Sequence, residues 1–420
     1  MELQVPSFAG VNDGFALRID DVSPGETVSV QLEARDAKHR QWNAAATFRA
    51  DERGVVDLAT SLPEKAQWEP ASDLGILWNL ATPVAEYAEF AVDPSQPVPV
   101  DIKVRSRAQG MGATQKRFLN RAAQRDERGA PAAFEGEVWA PTSRRSPRAI
   151  VVLLPDATGA PGPAAAAELA ASAGTVCAWW APAPDQRGCC DANRLLAGIT
   201  ELRQQYRLPL ALVGAGTGAN LAITLAAGLR DLAAVVAHSP HWARVGTLDT
   251  ASGVALRDSL HCDFGPDQPL EIGWVGARTA WRTSWAPRLL GRPRQLGGLY
   301  SALPEPGQPE AGGAALPIDA VRVPLLLTAG EDDEVWDAPA MLERLTASAQ
   351  VDVAHVIYRG AGHGVAYPFA LPGLPNPGVA GYRGTPILIG GTRVANGQAA
   401  VTSREHLLGF LSDALGGGQA

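Results

Sequence analysis

Pro209-Leu210-Ala211-Leu212-Val213 runs into Gly214-Ala215-Gly216-Thr217-Gly218-Ala219-Asn220 and then into the apolar stretch Leu221 to Leu229. An apolar run, a bend of small residues and a second apolar stretch read as strand, sharp turn and helix. The pattern G-x-S-x-G has this layout: its centre sits on a strained strand-to-helix turn, and the flanking glycines let the helix pass close behind the strand. Here the glycines fall at 214 and 218, and the centre, where Ser or Cys would carry the attacking atom, is Gly216. The chain has the turn that presents a nucleophile and no nucleophile on it.

Working outward, the same alternation continues on both sides. Ala149 to Leu154 is a continuous apolar run, as in a strand buried on both faces. Ala164 to Ala173 reads as a helix, Thr175 to Trp180 as a strand, Asp191 to Tyr206 as a helix and Leu232 to Ala237 as a strand. Val323 to Thr328, Ala338 to Ser348, Val351 to Tyr358 and Ser403 to Leu415 resume the rhythm. Strands and helices in this order predict a parallel, doubly wound α/β sheet with right-handed crossovers over residues 134–420, and the bend at 214–218 points to the α/β-hydrolase type. Residues 241–320, rich in Trp, Arg, Gly and Pro, break the pattern and are expected to form a lid. Pro368 to Gly391 reads as a surface loop.

Before this domain the periodicity is two. Phe15, Leu17 and Ile19 alternate with polar residues, as do Val28, Val30 and Leu32, and Val98, Val100, Ile102 and Val104. Turn signals at Ser23-Pro24-Gly25, Asp51-Glu52-Arg53-Gly54 and Asp93-Pro94-Ser95 separate them, which predicts an antiparallel sandwich over residues 1–106. Residues 107–133, dominated by Arg, Gln, Ala and Gly, read as a linker in which Gln115 to Gln124 is a helix or an extended connector.

Composition narrows the function. At 420 residues, 46% hydrophobic and 19% charged, the chain is long enough for two cores. A net charge of -8 disfavours nucleic acid and anionic membranes as partners, because the long-range field repels polyanions. No apolar run reaches bilayer-spanning length. Met1-Glu2-Leu3-Gln4-Val5 has neither the basic start nor the apolar core of an export signal. Cys177, Cys189, Cys190 and Cys262 fit neither a disulfide framework nor a metal site, so a reducing cytoplasm is expected, and neither cofactor nor metal.

Candidate chemistry lies at strand ends. Val323 to Thr328 is followed by Ala329-Gly330-Glu331-Asp332-Asp333-Glu334, where Asp333 is the expected acid and Asp332 the alternate; a solvated helix start is the plainer account of such a cluster. Val351 to Tyr358 is followed by Arg359-Gly360-Ala361-Gly362-His363-Gly364, and a glycine-framed His there can reach the bend with its other nitrogen held by the carboxylate. Bend, acid and His in this chain order match the triad order of the fold. An oxyanion hole would draw on the N–H of Thr217 and on the loop at Ala157, Thr158 and Gly159. Thr217, Ser239, Cys189 and Cys190 are nearby substitutes for the missing nucleophile, each better explained structurally. Trp242 and Ser239 are expected beside the substrate, with Trp179, Trp180, Trp274, Trp281 and Trp285 lining a cleft or a core.

Ser23-Pro24-Gly25, Phe48-Arg49-Ala50-Asp51, Gly54-Val55-Val56-Asp57-Leu58 and Leu74-Gly75-Ile76-Leu77-Trp78, with Gly330-Glu331-Asp332-Asp333 and Trp336, Gly360-Ala361-Gly362-His363 and Gly390-Gly391-Thr392, together resemble the acyl-CoA thioesterase / bile acid-CoA:amino acid N-acyltransferase family. The resemblance implies an N-terminal immunoglobulin-like β-sandwich joined to a C-terminal α/β-hydrolase domain. It implies a small-molecule acyl substrate, a thioester of CoA or of a carrier protein, attacked by Ser or Cys and passed to water or an amine. Gly216 departs from that pattern.

Three functions follow: an acyl-thioester hydrolase or acyltransferase; a non-covalent enzyme, such as a cyclase, in which His363 oriented by Asp333 is general base on a bulky acyl or polyketide-like substrate; and a non-catalytic acyl-binding protein. General-base and oxyanion contributions, each on the order of 10²-fold or more, survive the loss of a nucleophile.

Overall fold

The computed structural model describes the chain except residues 66, 84–87, 94, 120–121, 144–145, 157–161, 182–191, 244–247, 250–253, 256–285, 291, 301–314, 383–384 and 417–420. Eight strands build the N-terminal part: β1 (Glu2–Gln4), β2 (Phe8–Gly10), β3 (Arg18–Asp20), β4 (Thr27–Arg35), β5 (Gln41–Arg49), β6 (Val56–Asp57), β7 (Val98–Arg105) and β8 (Gly110–Phe118). They form a five-stranded sheet, β2-β8-β7-β4-β5, and a three-stranded sheet, β1-β3-β6. Alternation does the folding. In β4 the residues Val28, Val30, Leu32 and Ala34 are buried and their neighbours are not, and the register sets Val30 against Val104 and Ala46. The inner faces of both sheets share one apolar cluster, in which Ile19 and Val56 join Val30 and Phe48.

Residues 107–133, expected as a linker, contain two strands instead. Their first half is β8, paired with β7 from Val98↔Arg117 to Arg105↔Gly110, and Ala123–Arg125 is already a strand of the second domain, β9. Apolar alternation misses β8 because its inward positions are polar. Gln115 and Arg117 are fully buried. Gln115 Nε2 donates to the carbonyls of Pro6 and Phe15, and the Arg117 guanidinium to those of Val11 and Asp13 and to Gln115 Oε1. Buried polar side chains are tolerated when carbonyls receive their protons.

The second sheet contains β9, β10 (Gly136–Pro141), β11 (Ile150–Leu154), β12 (Val176–Trp180), β13 (Leu210–Ala215), β14 (Leu232–His238), β17 (Leu325–Gly330) and β18 (Val353–Tyr358). Two short hairpins, β15 (Leu248–Asp249) with β16 (Val254–Ala255) and β19 (Val379–Tyr382) with β20 (Thr385–Leu388), stand outside it. The spatial order is β9-β10-β12-β11-β13-β14-β17-β18. Within the sheet the third and fourth strands are exchanged, the second runs against its neighbours and the remainder are parallel, which is the α/β-hydrolase fold. Along β11 successive side chains serve opposite faces: Val151 and Leu153 join the cluster that continues into the sandwich, while Ile150, Val152 and Leu154 pack under the helices of the far face.

The domains are therefore joined by core. The Trp78 indole N–H donates to Pro372 O at 2.8 Å, Arg393 Nη1 to Leu80 O at 2.6 Å and Gln398 Nε2 to Glu69 O at 2.7 Å. The expected surface loop at 368–391 is interior instead: Phe369 and Leu371 are buried in the cluster shared with the sandwich, Ile387 and Ile389 in the cluster under the far-face helices, and Val379 is buried as well. The C-terminal helix begins at Arg393, ten residues before the expected start, with Thr392 Oγ1 accepting from Ala395 N as its cap. Most of the expected lid lies outside the described residues. No helix among the described residues is long and apolar enough to cross a membrane.

Candidate active site

The glycines of the bend are required by space. A Cβ on Gly214 would overlap Gly218 O, and one on Gly218 would overlap Leu154 O, so strand and helix approach to backbone contact. Between them Gly216 turns the chain at φ 53, ψ −119 and starts the helix Thr217–Gly228. Its amide donates to His238 O at 2.8 Å.

Three further strand ends converge on this point. Asp333, beyond β17, accepts from Val335 N at 2.8 Å and Trp336 N at 3.2 Å through Oδ1, and its Oδ2 is 2.7 Å from His363 Nδ1. Asp332, the alternate acid, is exposed. His363, beyond β18, is buried and held by its amide on Ile389 O, with Trp336 edge-to-face on its ring at 4.7 Å. Its Nε2 points back toward the bend: a Cβ on residue 216 would come within 2.9 Å of it. The third strand end, beyond β11, brings Asp156, the residue just before the loop expected to supply oxyanion donors at Ala157, Thr158 and Gly159.

Asp156 stands where a nucleophile would. Any Cβ on residue 216 would overlap its Oδ1. That oxygen accepts from Thr217 N at 3.0 Å and Thr217 Oγ1 at 3.1 Å, and Oδ2 lies 3.7 Å from His363 Nε2, an ion-pair separation too long for a hydrogen bond. The Thr217 N–H expected to receive an oxyanion is thus already given to a carboxylate. Ala157, Thr158 and Gly159, the other expected contributors, lie outside the described residues, as do Cys189 and Cys190. A carboxylate just past a fully buried strand, opposite a bend that lacks its reactive residue, was the available signal for Asp156.

Charge follows from this geometry. Burial pushes the His363 imidazole toward its neutral form, but Asp333 and Asp156 on its two nitrogens overturn that and hold it up at about 10. The two carboxylates thus favour the imidazolium over the neutral ring. His238, by contrast, is pushed down to about 3 by burial, with His363 adding to the effect. Its Nε2 accepts from Ala366 N at 3.0 Å, so Nδ1 carries the proton toward Thr328 Oγ1, tying β14 to β17 and to the segment after His363. Burial also pushes His241 down to about 4.

Ser239 sits at φ 48 with its hydroxyl buried, and among the described residues neither that hydroxyl nor His363 Nε2 has a hydrogen-bond partner, so the two do not bond to each other. Trp242 is buried against His241, 5.8 Å between rings. A cavity reaches Asp156 and His363, and neither Ser239 nor Trp242 lines it. That cavity, about 470 Å³, is walled by Asp156, Ala215 and His363, by Phe369 to Leu371, and from the sandwich by Lys38 and Glu89 to Val92. Among the described residues no group of three His, Cys, Asp or Glu side chains could hold a metal ion.

Residues 12–127 match the family described as "Acyl-CoA thioester hydrolase/BAAT N-terminal region" and residues 293–417 that described as "BAAT / Acyl-CoA thioester hydrolase C terminal"; together they span more than half of the chain. The chain is similar to acyl-coenzyme A thioesterase 6 of Mus musculus, 22% identical over 440 residues that cover 97% of this chain and 94% of the mouse protein. Among solved structures it is similar to a hormone-sensitive lipase from a metagenome library (15% identity, 70% of this chain and 87% of the other, TM-score 0.40) and to a thermostable esterase from Pseudomonas putida (11%, 80% and 88%, TM-score 0.39).

Proposed function

We propose, from the premise that this chain belongs to the acyl-CoA thioester hydrolase/BAAT family, that it opens an acyl thioester, or a related acyl compound, by direct attack and without an acyl-enzyme. One observation carries the reading: the volume a nucleophile's side chain needs at residue 216 is filled by Asp156 and His363, while His363 keeps its 2.7 Å bond to Asp333. Held protonated between two carboxylates, His363 serves as proton donor to the departing thiolate rather than as the general base that spacing alone implies. The cavity between the domains receives the acyl group.

The experiment is thiol release from acetyl-, octanoyl- and palmitoyl-CoA, followed together with the intact mass of the protein. Expected are turnover, loss of it in His363→Ala, and no acyl adduct at any time point. An adduct of acyl mass during turnover overturns the reading.

A second reading is ring closure by addition of a substrate hydroxyl to a conjugated double bond of the acyl group, which keeps the C–S bond and builds charge on an enolate oxygen rather than on a tetrahedral adduct; it is favoured by the Thr217 N–H being engaged by Asp156. Consumption of a hydroxyacyl thioester without thiol release distinguishes it.

A further inference from the structure

We propose that Asp156 is the catalytic base of this site: its carboxylate, paired with His363 across the vacated bend, takes the proton of the attacking group. The inference rests on the direct-attack reading above and assigns the group that reading leaves unnamed.

Four observations converge on it. Asp156 lines the cavity and is therefore in reach of a bound molecule. Its Oδ1 is pinned by both the amide and the hydroxyl of Thr217, the first residue of the helix Thr217–Gly228, so the carboxylate is oriented and its charge lies at a helix N-terminus. Oδ2 is turned toward His363 Nε2 at 3.7 Å, close enough to share a field and far enough apart for a small group to interact with both. Finally, Gly216 leaves no side chain between them. An ordinary triad holds a neutral hydroxyl beside a neutral imidazole and separates charge as it reacts. Here the charges are separated before substrate arrives.

The step balances. Water attacks the thioester carbonyl carbon as one of its protons passes to Asp156 Oδ2. Collapse of the tetrahedral adduct breaks the C–S bond, with the electron pair leaving on sulfur. The His363 imidazolium gives its Nε2 proton to that thiolate. Carboxylic acid and thiol depart, and the proton on Asp156 moves to His363 Nε2, restoring carboxylate and imidazolium. Among the described residues, the charged and titratable groups facing His363 besides Asp156 are Asp333 on its other nitrogen and His238 from β14, pushed toward its neutral form by burial.

Two measurements on the full-length protein test this. In the first, octanoyl-CoA turnover is compared in the unmodified chain, Asp156→Asn and Asp156→Ala. Expected is a fall in kcat of about 100-fold or more with KM changed less than about threefold, and partial recovery of Asp156→Ala by added formate, which a structural carboxylate would not permit. Asp156→Asn turning over within about threefold of the parent, while His363→Ala is dead, overturns the proposal and leaves the direct-attack reading standing. In the second, the His363 ring nitrogens are followed by NMR across pH in the unmodified chain and in Asp156→Asn, without substrate. A drop of at least about one pH unit in the His363 midpoint supports the pairing, and an unchanged midpoint overturns it. If the unmodified chain releases no thiol from any thioester, the direct-attack reading falls, and the NMR comparison decides the case of Asp156 alone.

Discussion

The Asp156 carboxylate lies over Gly216 and fills the volume any side chain there would need, while the same oxygen holds the amide of Thr217. One acidic residue thus occupies both the place of a nucleophile and the donor that would stabilise its adduct. Restoring a serine therefore takes two changes. Gly216→Ser alone is expected to form no acyl-enzyme and to lose about 1–3 kcal/mol of stability from overpacking. Gly216→Ser combined with Asp156→Ala frees both the space and the Thr217 N–H, and is expected to show an acyl adduct of octanoyl-CoA by intact mass. An adduct on the single variant would contradict this account of the bend.

Asp333 and Asp332 are neighbours with unlike fates. Asp333 is buried on His363 and on two backbone amides, whereas Asp332 faces solvent. Asp333→Asn is expected to lower octanoyl-CoA turnover about 100-fold or more, and Asp332→Asn to change it less than about twofold. Parallel thiol-release assays of the two variants check the assignment.

Three buried histidines give stability a peaked pH dependence. His363 is raised from 6.5 to about 10, so its contribution is complete below pH 6.5 and is lost as pH rises through about 10. His238 and His241 are lowered to about 3 and about 4, so the unfolded chain binds protons before the folded one, and stability is lost as pH falls below 6.5 toward those values. The free energy of unfolding from urea titrations is expected to be highest between pH 6 and 7, by roughly a few kcal/mol over either flank. In His363→Gln the alkaline slope between about pH 6.5 and 10 should flatten while the acid slope remains.

Gly397 lies inside the C-terminal helix, where alanine would ordinarily gain about 1 kcal/mol. Its Cβ, however, would overlap the Trp78 indole, which is itself fixed on Pro372 O. Overpacking of about 1–3 kcal/mol outweighs the helical gain, so Gly397→Ala is expected to lower the urea midpoint. A raised midpoint would show that the domain contact yields easily.

How much of this was legible follows from where the signal lies. The elbow, the acid and the His could be read because each is a small motif at the end of an apolar strand, and strand order in sequence constrains their meeting in space. β8 could not, because Gln115 and Arg117 face inward and their compensation is by distant carbonyls that no local pattern reveals. The C-terminal helix looked shorter because Gly397 weakens its first half locally, while its reason, the Trp78 face, comes from the other domain. Asp156 was hidden for a related cause: a carboxylate after a strand is unremarkable until a neighbouring strand supplies a bend with nothing on it.

The apolar cluster that runs from Val30 and Phe48 through Trp78 to Val151 and Val213 is continuous across the two halves, which are therefore expected to unfold together. Heating should then give one calorimetric peak, not two. A chain severed in the short connection between Phe118 and Ala123 would leave each fragment with a raw hydrocarbon flank and should coprecipitate rather than yield a free hydrolase domain.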